Sequence, residues 1–212
     1  MIRNNSRCSL FIKIWYLHLT IIFITHFISS QITAAQVNTE NLRKINLKNG
    51  FYGSLKLDYT LDSGNSNFSK IAAGFRSDFV SEKYYSFGVI QYQRGVQDKK
   101  DFINKGFIHL RLIRKFFPRF SGEFFLQKEF NQFIRLKDRN LVGAGIRNGV
   151  ILPDSTRKYF NSFYTFIGIG IMWENEKIDL HPVKDTKIFR STNYLSLRWV
   201  VNDHLDFNLV SY

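Results

Sequence analysis

The chain has 212 residues, a formal net charge of +13, 17% aromatic residues and one cysteine. A lone cysteine excludes a disulfide scaffold. A basic balance without a basic helix, zinc-finger spacing or nucleic-acid motif gives no footing for nucleic-acid binding, and leaves basic loops, a basic interior or contact with lipid phosphates as its explanations.

The first 35 residues differ from the rest. Arg3, Arg7 and Lys13 form a basic start, an apolar stretch runs from Ile14 to Ile28, and Thr33-Ala34-Ala35 precedes Gln36. This order of basic, apolar and small residues describes a signal peptide cleaved near Ala35. His18 and His26 interrupt the apolar run and make it a poor membrane span. Cleavage would remove three positive charges and Cys8, leaving a mature chain of +10 without thiol chemistry.

Residues 36–48 read as a short lead-in. From residue 49 to the last residue the chain alternates apolar and polar residues. Phe51, Gly53, Leu55, Leu57, Tyr59 and Leu61 fall on one face, with Tyr52, Ser54, Lys56, Asp58 and Thr60 on the other. Strict period-two alternation is a strand with two chemically opposite faces. Nine strands are expected, at 50–61, 66–79, 84–95, 103–115, 120–130, 139–150, 160–174, 188–200 and 205–212. Turn chemistry separates them: Asp62-Ser63-Gly64-Asn65, the charged stretch 97–101, Phe117-Pro118-Arg119, Pro153-Asp154-Ser155 and 201–204. Longer connections are expected around 131–138, 151–159 and 175–187.

These strands exceed the usual soluble length of about 5–6 residues and match the ~9–11 of a tilted membrane-spanning strand. With the leader, they point to an antiparallel transmembrane β-barrel of an outer membrane over residues 49–212. In such a barrel the apolar face meets lipid and the polar face lines the lumen. Phe51, Tyr59, Phe79, Tyr84, Tyr92, Phe116, Phe120, Phe160, Trp173 and Trp199 are candidates for interfacial girdles. Glycines such as Gly143, Gly145, Gly168 and Gly170 are expected to leave lumen space for long charged side chains. Lacking a following helix, they do not form phosphate loops.

The candidate site is a lumen network of Lys105, His109, Arg111, Glu123, Glu129, Arg139, Arg147 and Glu174, centred on Glu123 with Arg111 and Arg147. It serves either as a selectivity lining for a narrow solute channel or as a structural set of paired charges. Filling of narrow barrels by their own side chains favours the second. A lipid-modifying barrel enzyme would need Ser, His and an acid in reach. The mature histidines, His109, His181 and His204, offer no Gly-x-Ser-x-Gly or paired-histidine context, so no catalytic, cofactor or metal residues are assigned. Loops 131–138 and 175–187 would serve an interaction protein. The expected partners are outer-membrane lipid and the barrel-assembly machinery.

Several stretches resemble the salt-stress-induced outer-membrane protein family, a domain family of unknown function. They are Gly64-Asn65-Ser66-Asn67, His109-Leu110-Arg111, Glu123-Phe124-Phe125-Leu126-Gln127, Arg139 to Arg147, Gly168 to Glu174 and Phe189 to Tyr194. The resemblance runs from about Asn38 to Tyr212. It implies a barrel, an outer-membrane location and a role in envelope integrity or stress response, and it supplies no catalytic residues. It also implies further strands beyond Tyr212. Nine is an odd count for a bacterial single-chain barrel, so the barrel is expected to be incomplete, with an exposed edge.

Overall fold

The computed structural model describes residues 39–44, 47–64, 67–152, 163–202 and 205–212. The expected leader, Phe160, His204 and most of the 151–159 connection lie outside them. The described residues form one antiparallel sheet of ten strands. They are β1 (Gly50–Ser63), β2 (Asn67–Val80), β3 (Tyr84–Gln97), β4 (Lys100–Phe117), β5 (Phe120–Asn131), β6 (Leu136–Ile151), β7 (Phe163–Ile178), β8 (Lys184–Ser191), β9 (Tyr194–Asn202) and β10 (Leu205–Ser211). Each of the first seven pairs with its sequence neighbour, as hairpin connections dictate.

Beyond β7 the pairing has a break that does not alter the register. β8 runs along the Ile171–Ile178 half of β7, and β9 along the Phe163–Gly168 half. Between them, Thr192 still donates its backbone N–H to the Gly170 carbonyl at 2.8 Å. Thus β8 and β9 follow one another as a single interrupted strand, and ten strands occupy nine positions. The strand expected at 188–200 is this pair.

Two expected loops are shorter than the sequence suggested. β7 and β8 extend into 175–187 and leave only 179–183 between them. A 3-10 turn at Gln132–Ile134, with Arg135 in the left-handed region, closes the β5–β6 connection. The β3–β4 hairpin turns on Asp98 and Lys99, both with positive φ, the conformation of a type I′ turn that suits strand twist.

One face of the sheet exposes large apolar side chains, and the other buries charged and polar groups beside an apolar cluster. Leu55 and Leu57 are each 69% exposed, Ile171 66% and Leu209 62%. Ile108, Leu110, Leu112, Phe124, Leu126, Val142, Ile146, Ile167 and Ile169 share this exposed face. On the other face Asp78, His109, Arg111, Gln127, Arg147 and Glu174 are buried. The orientation follows from residue parity: a strand that places Arg111 inward must place Leu110 and Leu112 outward. Exposed apolar area costs on the order of 25 cal/mol per Å² in water, so the outer face is suited to an apolar surrounding.

The inner face buries its charges because the lead-in lies on it. Lys44 reaches Asp78 on β2, Glu40 reaches Arg111 on β4 and Arg147 on β6, and Asn41 bonds Asn208 on β10. Flat, the strands between β4 and β10 would spread over roughly 24 Å at ~4.8 Å per strand. Two adjacent residues cannot bridge that, since an extended residue spans at most ~3.6 Å. The sheet therefore curls around the lead-in. It does not close: β1 and β10 are its edges and do not pair with each other. The expectation of a barrel is met only as a curled, open antiparallel sheet.

Candidate functional site

The inner face is layered. Its lower layer joins the lead-in to β4, β5 and β6. A 3-10 turn at Glu40–Leu42 projects Glu40 between two arginines, Arg147 at 2.5 Å and Arg111 at 3.1 Å. Arg43 bonds back to Glu40 at 2.9 Å and forward to Glu123 at 2.6 Å. Arg111 completes the ring to Glu123 at 3.3 Å and donates to the Thr39 hydroxyl at 2.5 Å. Three guanidiniums thus share two carboxylates. Their side chains are 3–9% exposed.

Burial works to raise the Glu40 carboxyl, and the guanidiniums of Arg43, Arg147 and Arg111 override it and hold the carboxyl below its usual range. Burial likewise opposes the charge on Arg43, and Glu123 and Glu40 outweigh it, raising that group further above its ordinary value. Apolar contact adds to the ionic grip: Leu42 and Leu47 pack on the buried Val80, Tyr85, Phe87, Val89 and Ile113.

The middle layer is aromatic. His109 is fully buried, with the rings of Phe87, Phe107 and Phe125 at 5.7, 6.1 and 6.1 Å. Its Nδ1 meets the Gln127 side-chain oxygen at 3.1 Å, and its Nε2 has no hydrogen-bond partner among the described residues. Met172 and Leu141 are buried on the same inner face.

The upper layer is again ionic, and built wholly from neighbouring strands. Arg139 on β6 lies opposite Glu129 on β5 and Glu176 on β7. It bonds Glu129 at 2.8 Å, Glu174 at 3.3 Å, and Glu176. Arg190 on β8 closes on Glu174.

Against these layers, the expected single network divides. Arg111, Glu123 and Arg147 come together, but no ion pair joins Arg147 to Glu123; Glu40 and Arg43 bridge them. Glu129, Arg139 and Glu174 form the separate upper set. Two members do not belong. Lys105 is exposed on an otherwise half-buried stretch of β4 and makes no ion pair among the described residues. His109 is held by Gln127 and aromatic rings rather than by charges, because the flanking inner-face positions on β3, β4 and β5 carry phenylalanine.

The glycines also serve a different purpose from the one expected. In register, Gly143 lies opposite Phe125 and Gly168 opposite Tyr194. A Cβ on either glycine would run into the facing ring, so these positions clear space for aromatics and not for charged chains. Tyr194 then lies over the lower layer, and its hydroxyl has no hydrogen-bond partner.

Sequence reasoning missed Glu40 and Arg43 because the lead-in has no periodicity. The available signal was a Glu-x-x-Arg pair with Leu42 and Leu47 beside it, more than a bare linker needs. Of the remaining histidines, His181 lies in the exposed 179–183 loop. Among the described residues no group of three or more His, Cys, Asp or Glu side chains is placed to hold a metal ion. No known protein family, curated protein or solved structure matches the chain.

Proposed function

We propose that the chain forms the wall of an outer-membrane β-barrel whose interior is sealed by its own lead-in, with a structural role in envelope integrity or stress response. The two faces carry this reading: large aliphatic side chains stand exposed around the outside while Asp78, Arg111, Arg147 and Glu174 are buried within. Water penalises that arrangement and lipid rewards it. Exposed Phe51, Phe79, Tyr84, Phe116 and Trp199 near the strand ends suit interfacial girdles.

A sealing role suits the layers better than a solute path. The lower layer is cross-linked through the lead-in, and the rings of Phe87, Phe107 and Phe125 around His109 disfavour a hydrated ion in the middle layer. In lipid the edges β1 and β10 require partners, since unpaired backbone groups are costly there. The reading therefore requires that both edges find strand partners.

The test is fractionation of the expressed full chain, followed by electrophoresis with and without boiling. An outer-membrane band whose mobility shifts on boiling is expected. A protein that stays soluble without detergent and shows no such shift defeats the membrane reading.

A further inference from the structure

Between the lead-in and the β4–β5 turn lies a cavity of about 270 Å³. Among the described residues five cationic side chains line it, Arg43, Lys44, Lys115, Arg119 and Arg147, and no carboxylate does. Much of the remaining wall is apolar, including Leu47, Val80, Ile113, Leu152 and Phe166.

The described residues neutralise these cations incompletely. Arg43 and Arg147 divide Glu40 and Glu123 with Arg111, which leaves one positive charge in surplus in a buried place. Lys44 has Asp78 at 3.4 Å, but Arg76 already holds that carboxylate at 2.5 Å. Lys115 and Arg119 make no ion pair among the described residues. Arg147 is only 6% exposed, its guanidinium lies 3.8 Å from the Phe166 ring centroid, and its Nε has no hydrogen-bond partner among the described residues. A buried positive surplus is unfavourable unless an anion joins it. Guanidiniums bind the planar oxygens of carboxylates and phosphates best.

From this we infer that the cavity binds an oxyanion carrying a short apolar chain, a single-chain carboxylate or alkyl phosphate. The cationic side takes the head and the apolar side takes the chain. The volume is at the small end for ligand sites, which suits one short chain and not a two-chain lipid. The inference stands on the cavity alone and does not depend on where the sheet resides.

The experiment uses the full chain refolded in a non-ionic maltoside detergent, with a diazirine-bearing fatty acid as photoprobe and mass spectrometry to locate the label. Labelling is expected on peptides containing Leu47, Ile113 or Phe166, with competition by octanoate and octyl phosphate. Octanol should compete roughly tenfold less well, and so should inorganic phosphate. The double variant Lys115→Gln/Arg119→Gln alters exposed side chains at the cavity rim and leaves the buried cluster intact. It should lower labelling roughly tenfold while retaining the folded gel mobility. Equal competition by octanol and octanoate overturns the inference. So does labelling that the double variant leaves unchanged, and so does inorganic phosphate competing as well as octyl phosphate.

Discussion

The two ionic layers of the inner face contain the same residue types and are built on different logic. The upper one is a product of register: Arg139 sits directly between Glu129 and Glu176 on adjacent strands. Its side chains are 5–25% exposed. The lower one recruits a segment from outside the sheet and is drier, with no side chain above 9% exposure. A cross-strand layer can lose one partner and keep the others. The lower layer cannot lose Glu40 in the same way, because among the described residues Glu40 is the one carboxylate paired with Arg147. The contrast separates charges that line a wall from charges that fasten a plug to it.

The sharpest way to break this comparison is Glu40→Gln. The substitution keeps the shape but leaves three buried guanidiniums on one carboxylate. Removing one partner of a buried pair costs about 3–5 kcal/mol, and that loss is expected in urea unfolding of the refolded protein. The lead-in should also come loose. Trypsin should cut after Arg43 and Lys44 in the variant well before it does so in the parent. A variant as stable and as protected as the parent would show that the lead-in is not fastened by charge.

Acid should mimic the same change. The Glu40 carboxyl titrates below its ordinary value of 4.5 when folded. A lowered folded value means that the unfolded chain takes up the proton first. The stabilisation is therefore complete above 4.5 and is lost as pH falls from there through the lowered folded value. Protection of the Thr39–Lys44 amides, taken relative to the intrinsic exchange rate at each pH, should fall across that window. In Glu40→Gln this fall should be absent; a fall of equal size in the variant would assign it to other groups.

The upper layer provides the contrast. Glu129→Gln removes one of three carboxylates around Arg139 in a partly exposed site, where a charge-assisted hydrogen bond contributes about 1–2 kcal/mol. Urea unfolding should register that smaller loss, with lead-in protection unaltered. A cost equal to that of Glu40→Gln would erase the distinction between the layers.

How much of this was legible follows from period and register. Alternation located the strands to within a few residues. It also assigned their faces, because Arg111 and Leu112 must point oppositely once a strand exists. The pairing of Arg111 with Glu123 follows from the Phe117-Pro118-Arg119 turn, which folds β5 back on β4. Other features needed information that period two does not hold. Gly143 and Phe125 become partners only when the β5–β6 register is fixed. Glu40 and Arg43 reach the inner face through the curl of the whole sheet, which no local pattern encodes. His109 sits between rings because Phe87, Phe107 and Phe125 face inward, against the rule that inward positions of such a strand are polar.

The smallest effect is expected at the open edge, where Arg198 on β9 pairs with Asp206 on β10 and both side chains are 25–37% exposed. Such a pair gains little from Coulomb attraction in high dielectric and contributes about 0–1 kcal/mol. Asp206→Asn should accordingly barely move the urea midpoint. Salt supplies the control. At about 1 M the screening length falls to roughly 3 Å, which removes most of what the edge pair offers, whereas the buried pairs of the lower layer are screened much less. If high salt equalises parent and Asp206→Asn while leaving the Glu40→Gln difference intact, burial and not charge count sets the strength of each layer. If salt weakens both differences alike, the lower layer is open to solvent and the lead-in is not a seal.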